Sequence, residues 1–104
     1  MPFQLLYTHE ANSQLDKLGK NKNLQKRSKA VDKASRLLGE EPNYTGLNAH
    51  KYSSLKGPDG CEVFEAYAEN KTPAAYRIFW CYYPPKEKGA TMGNITILAI
   101  TTHP

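Results

Sequence analysis

Two runs decide how this chain folds: Cys61-Glu62-Val63-Phe64-Glu65-Ala66-Tyr67-Ala68-Glu69 and, after the break Asn70-Lys71-Thr72-Pro73, Ala75-Tyr76-Arg77-Ile78-Phe79-Trp80-Cys81-Tyr82-Tyr83. Both are rich in the β-branched and aromatic residues that suit strands, and the break carries turn residues. They predict an antiparallel hairpin over 61–69 and 75–83. A turn centred near Lys71 sets Glu65 opposite Arg77, Val63 opposite Phe79 and Cys61 opposite Cys81. Side chains alternate across a strand, so Glu62, Phe64, Ala66, Ala68, Tyr76, Ile78, Trp80 and Tyr82 share one face. That face is mostly apolar or small and belongs under a covering layer. Cys61, Val63, Glu65, Tyr67, Arg77, Phe79, Cys81 and Tyr83 share the other, where a carboxylate, a phenol and a guanidinium fall within reach of one another.

The covering layer lies upstream. Residues 3–7 read as a short strand. Thr8 is placed to cap a helix over 9–19, with Glu10 in the first turn and Ala11, Leu15 and Leu18 at helical spacing. A polar turn, Lys20-Asn21-Lys22-Asn23, precedes a second helix that buries Leu24, Val31, Ala34, Leu37 and Leu38. Gly39 and Pro42 stop it. Its outer face carries Lys26, Arg27, Lys29, Lys33 and Arg36, either a solvated surface or a contact for RNA. Residues 43–60 show little periodicity and read as loop and turn. A last strand spans 94–101. The order is β-α-α-β-β-β: an α+β fold with a twisted antiparallel sheet packed against an αα-hairpin.

At 104 residues the chain fits one domain, 1–104. A mean hydropathy of −0.67 makes its core lean, and a domain of this size is modestly stabilised, so a protein partner would help it. The net charge of +4 favours polyanions such as RNA and DNA. The N-terminus has no basic n-region, and no apolar stretch approaches the ~20 residues that span a bilayer. These features predict a soluble cytoplasmic protein without membrane contact. Cys61 and Cys81 are then expected to be packed thiols. Two cysteines and three histidines form no zinc signature, so neither metal nor other cofactor is expected.

Val63-Phe64-Glu65-Ala66-Tyr67 with Tyr76-Arg77-Ile78-Phe79-Trp80 resembles the central hairpin of the bacterial RelE/ParE toxin superfamily. Leu55-Lys56-Gly57 resembles its L-K-G loop. Ile95-Thr96-Ile97-Leu98-Ala99-Ile100 with Thr102-His103-Pro104 resembles its last strand and histidine-bearing tail. The likeness runs in order along nearly the whole chain. It implies the toxin of a type II toxin–antitoxin system, neutralised by a separate antitoxin. RelE-type members cut messenger RNA in the ribosomal A site. ParE-type members inhibit DNA gyrase on the same fold, and a degenerate member would only bind antitoxin or nucleic acid, so the site must decide.

Metal-independent RNA cleavage needs activation of the 2′-hydroxyl, cations for the charge growing on phosphate, and an acid for the leaving 5′-oxygen. Arg77 has the fork that binds phosphate bidentately and matches the family's strand arginine; its structural alternative is a salt bridge with Glu65. Glu65 resembles the base of YoeB-like members, or else only orients Arg77. Tyr67 stands where RelE-like members often carry a basic residue, and can donate a proton, stack on a base or simply pack. His103 resembles the tail histidine of YoeB-like members and suits acid–base work. His50, Lys51 and Lys56 lie in the loop before the hairpin as candidate phosphate contacts. His9 fits the first turn of a helix. The histidine tail, the Glu65–Arg77 pair and the lysines favour the ribonuclease over the gyrase inhibitor.

Overall fold

The computed structural model describes residues 2–69 and 74–102. The elements are β1 (Phe3–Tyr7), α1 (His9–Lys20), α2 (Gln25–Glu40), β2 (His50–Lys56), β3 (Glu62–Tyr67), β4 (Arg77–Cys81) and β5 (Gly93–Thr101). The five strands form one sheet in the order β1-β5-β4-β3-β2. The two helices cover one face, and the core joins Leu18, Val31 and Leu38 from the helices to Ala66, Ile78, Trp80, Ile95, Ile97 and Ile100 from the sheet. The α+β class and the helical layer follow the sequence, with three corrections.

First, the sheet holds a strand that the polar segment 43–60 conceals. β2 is an edge strand paired antiparallel to β3, and its residues His50-Lys51-Tyr52-Ser53-Ser54-Leu55-Lys56 are mostly exposed. Lysine and serine suit such an edge because they discourage further pairing, and they also hide the strand's apolar period. Second, the sheet is mixed. β1 runs parallel to β5, with Leu5 beside Ile95. A parallel neighbour needs a long crossover, which the two helices and three strands between β1 and β5 provide. Third, the hairpin register is displaced by two residues: Tyr67 faces Arg77 and Glu65 faces Phe79. A shift of two keeps every side chain on its expected face, whereas a shift of one would invert them. The turn expected at residues 70–73 lies outside the described residues.

The second helix runs through Gly39 to Glu40 and ends before Pro42. α1 begins as expected, with Thr8 Oγ1 accepting from Ala11 N at 3.1 Å. The same hydroxyl donates to Leu98 O at 2.9 Å. Leu98 is the extra residue where β5 slips against β4, which pairs Phe79 with Ala99 but Trp80 with Ile97. That bulge lets Ile95, Ile97 and Ile100 all enter the core despite their uneven spacing. One threonine thus starts a helix and fixes an irregular strand beside it.

Gly57 follows β2 at the hinge toward β3. A Cβ here would stand 2.8 Å from Cys61 Sγ and 3.1 Å from Cys81 Sγ. Close approach, rather than an unusual backbone angle, is what excludes a side chain. Both cysteines are free thiols, and burial followed by the hydrogen-bonded Cys61 pushes the Cys81 thiol up to about 12. Among the described residues no helix is long and apolar enough to cross a membrane.

Candidate functional site

The face of the sheet away from the helices carries Glu65 and Tyr67 on β3 and Arg77 on β4. Tyr67 and Arg77 are direct cross-strand partners, and the guanidinium carbon lies 5.0 Å from the centroid of the phenol ring, a cation–π arrangement. Arg77 Nε lies 3.5 Å from Glu65 Oε2, and the two side chains are only 6% and 3% exposed. A charge this deep is costly unless paired, so the two depend on each other. Glu65 therefore has a structural duty whatever its chemical one.

His50 completes the cluster. It sits opposite Glu65 in the β2–β3 register, and its Nε2 lies 2.7 Å from Glu65 Oε1. Its Nδ1 lies 2.8 Å from the carbonyl oxygen of Asn48, and its ring centroid lies 5.9 Å from that of Tyr67. Asn48 holds a left-handed backbone, with φ at 49° and ψ at 40°, which asparagine tolerates better than most residues. That turn ends the short 3-10 segment 45–47 and aims the carbonyl at the imidazole two residues on. His50 keeps 45% of its side chain exposed, against 3% for Glu65. The imidazole is thus the accessible end of a chain that runs inward through Glu65 to Arg77.

The other candidates sit apart. Lys51 pairs across the sheet with Phe64, and Lys56 with Glu62. Directly opposed residues share a face, so both lysines emanate from the face opposite Glu65. Lys51 Nζ meets Glu62 Oε1 at 3.4 Å in an exposed ion pair. His103 lies outside the described residues. The structure therefore gathers Glu65, Tyr67 and Arg77 as the alternation implies, adds His50, and separates Lys51 and Lys56 from them. Asn48 was not singled out in the sequence, and the contact of His50 with Glu65 could be found only by recognising β2 as a strand. Tyr52, whose ring meets Phe79 edge-on at 5.0 Å between centroids, was missed for the same reason.

The chain matches no family model and no curated protein sequence. Among solved structures it is similar to the YoeB dimer from Staphylococcus aureus, with a TM-score of 0.63 over 100% of both chains and 11% sequence identity. The fold is therefore similar to that of the YoeB chain, with little likeness in sequence.

Proposed function

We propose that this protein is the toxin of a type II toxin–antitoxin system and acts as a metal-independent endoribonuclease on messenger RNA at the ribosome. The observation that carries the reading is the cluster itself: a guanidinium, a carboxylate, a phenol and an imidazole converge on one face of a YoeB-like sheet. A packed domain needs no such set there, and burying it is costly without a return in function.

In this reading the RNA 2′-oxygen attacks the adjacent phosphorus and the 5′-oxygen leaves. The products are a 2′,3′-cyclic phosphate and a 5′-hydroxyl. Arg77 stabilises the growing phosphate charge, Glu65 holds Arg77 and His50, and Tyr67 supports the guanidinium and offers a surface for a base. Lys51 and Lys56 emanate from the other face of the edge strand, so any phosphate they contact lies away from the scissile one. Proton transfer falls to a histidine, a role that the family resemblance gives to His103. The whole chain acts as one cytoplasmic domain, with a cognate antitoxin as partner.

Induced expression in a bacterium tests this directly. The expected result is growth arrest with transcripts cut inside codons, both abolished by Arg77→Lys, which keeps the charge and removes the bidentate fork. Uncut transcripts with accumulated cleaved DNA would instead identify a gyrase inhibitor.

A further inference from the structure

We propose that His50 is the general acid that protonates the leaving 5′-oxygen, with Glu65 as its positioning residue. This assignment rests on the ribonuclease reading and deepens it. Which atoms can donate decides the assignment. The Asn48 carbonyl oxygen only accepts, so the hydrogen in its 2.8 Å contact belongs to His50 Nδ1. On the other side of the ring, Nε2 meets a carboxylate oxygen at 2.7 Å, and a carboxylate also accepts. The form of the imidazole that satisfies both contacts carries hydrogen on both ring nitrogens, and that form is a proton donor.

Access then separates the two nitrogens. Nε2 is tied to Glu65, which is 3% exposed and faces Arg77 with its other oxygen. Nδ1 is tied only to an exposed backbone oxygen two residues away, a contact that a substrate oxygen can replace without disturbing the buried pair. Both Glu65 oxygens already face protein partners, Oε1 toward His50 and Oε2 toward Arg77, so the imidazole is the group that reaches a leaving oxygen. The order carboxylate, imidazole, substrate is the one in which a buried acid fixes the tautomer and orientation of a histidine that does the proton transfer. Tyr67 packs beside the ring and limits its rotation.

The 2′-oxygen forms a bond to phosphorus and its proton passes to solvent water. The bond from phosphorus to the 5′-oxygen breaks, its electron pair goes to that oxygen, and the Nδ1 proton follows. The neutral imidazole regains a proton from solvent before the next turnover.

A substrate with sulfur in place of the bridging 5′-oxygen tests this, because a thiolate leaves without protonation. Ribosomes programmed with messenger RNA carrying either atom at the scissile linkage are incubated with the purified protein. His50→Gln is the chosen variant, since its amide still donates to Glu65 and the exposed position tolerates it; circular dichroism checks the fold. It is expected to slow cleavage at oxygen by about 10²- to 10⁴-fold while cleaving the sulfur substrate within a few-fold of wild type. Glu65→Gln should show the same rescue from a smaller defect, giving a second route to the result. Equal slowing of both substrates by His50→Gln would overturn the assignment, as would sulfur rescue confined to His103→Gln. A wild-type protein inert on both substrates would overturn the ribonuclease reading itself, and this proposal with it.

Discussion

Removing either member of the Glu65–Arg77 pair is expected to destabilise the protein strongly, and removing both is expected to do far less. The groups stand 3.5 Å apart with 3% and 6% of their side chains exposed, so water cannot solvate a charge left behind. Breaking such a pair from one side costs about 3–5 kcal/mol. A domain of this kind has about 5–15 kcal/mol in total, and each kcal/mol moves the melting temperature by about 4–8 °C at this size. Glu65→Ala should therefore lower it by about 12–40 °C. It should be the worse of the two single changes, because His50 loses its acceptor as well. Glu65→Leu combined with Arg77→Met fills the same space without charge and should recover most of the loss. Urea unfolding followed by circular dichroism, on both single variants and the double, gives the coupling. Single losses below about 1 kcal/mol, typical of an exposed pair, would refute the reasoning. So would a double variant whose loss equals the sum of the singles within about 0.5 kcal/mol.

Three further outcomes follow from the fold. Gly57→Ala forces a Cβ against the Cys61 and Cys81 sulfurs and should cost about 1–3 kcal/mol in urea unfolding, whereas Gly19→Ala, with open space around it, should stabilise the α1 helix by up to about 1 kcal/mol. Thr8→Ala removes both the α1 cap and the hydrogen bond to Leu98 and should lower stability by about 1–2 kcal/mol, with Thr8→Ser recovering most of it. Cys81 releases its proton at about 12 in the fold against 9.0 as a free thiol, so between those values the folded state holds more protons than the unfolded chain. Its stabilising contribution is complete below pH 9.0 and falls as pH rises toward 12; Tyr7 and Tyr82, both raised by burial, steepen the same decline. Alkaline unfolding should become shallower in Cys81→Ala, and the Cys81 thiol should resist alkylation at pH 8 until the protein unfolds.

The hairpin was legible in the sequence because its signal has a period of two. Assigning Glu65, Tyr67 and Arg77 to one face needed only the parity of the register, which survived a displacement by two residues. The helices were legible through Thr8 and through the spacing of Leu15, Leu18, Val31 and Leu38. β2 was not, because an edge strand faces solvent and His50–Lys56 is built of residues that keep it soluble. That concealment also hid the contact of His50 with Glu65, since a loop residue has no register. The parallel pairing of β1 with β5 had no local signal either: nothing within Phe3–Tyr7 or Gly93–Thr101 says which neighbour each strand takes. For the site, residue types on β3 and β4 were enough to name the buried members, while their accessible partner depended on a tertiary contact.

The central claim is that the Glu65–Arg77 face of this sheet cuts RNA, and end analysis of the products tests it most directly. Purified protein is added to ribosomes carrying a defined messenger RNA, and the fragments are mapped and their termini identified chemically. Cleavage is expected within the A-site codon, leaving a 2′,3′-cyclic phosphate or its 3′-phosphate upstream and a 5′-hydroxyl downstream, and is expected to be lost in Arg77→Lys. Intact messenger RNA, or fragments ending in a 3′-hydroxyl and a 5′-phosphate, would contradict it.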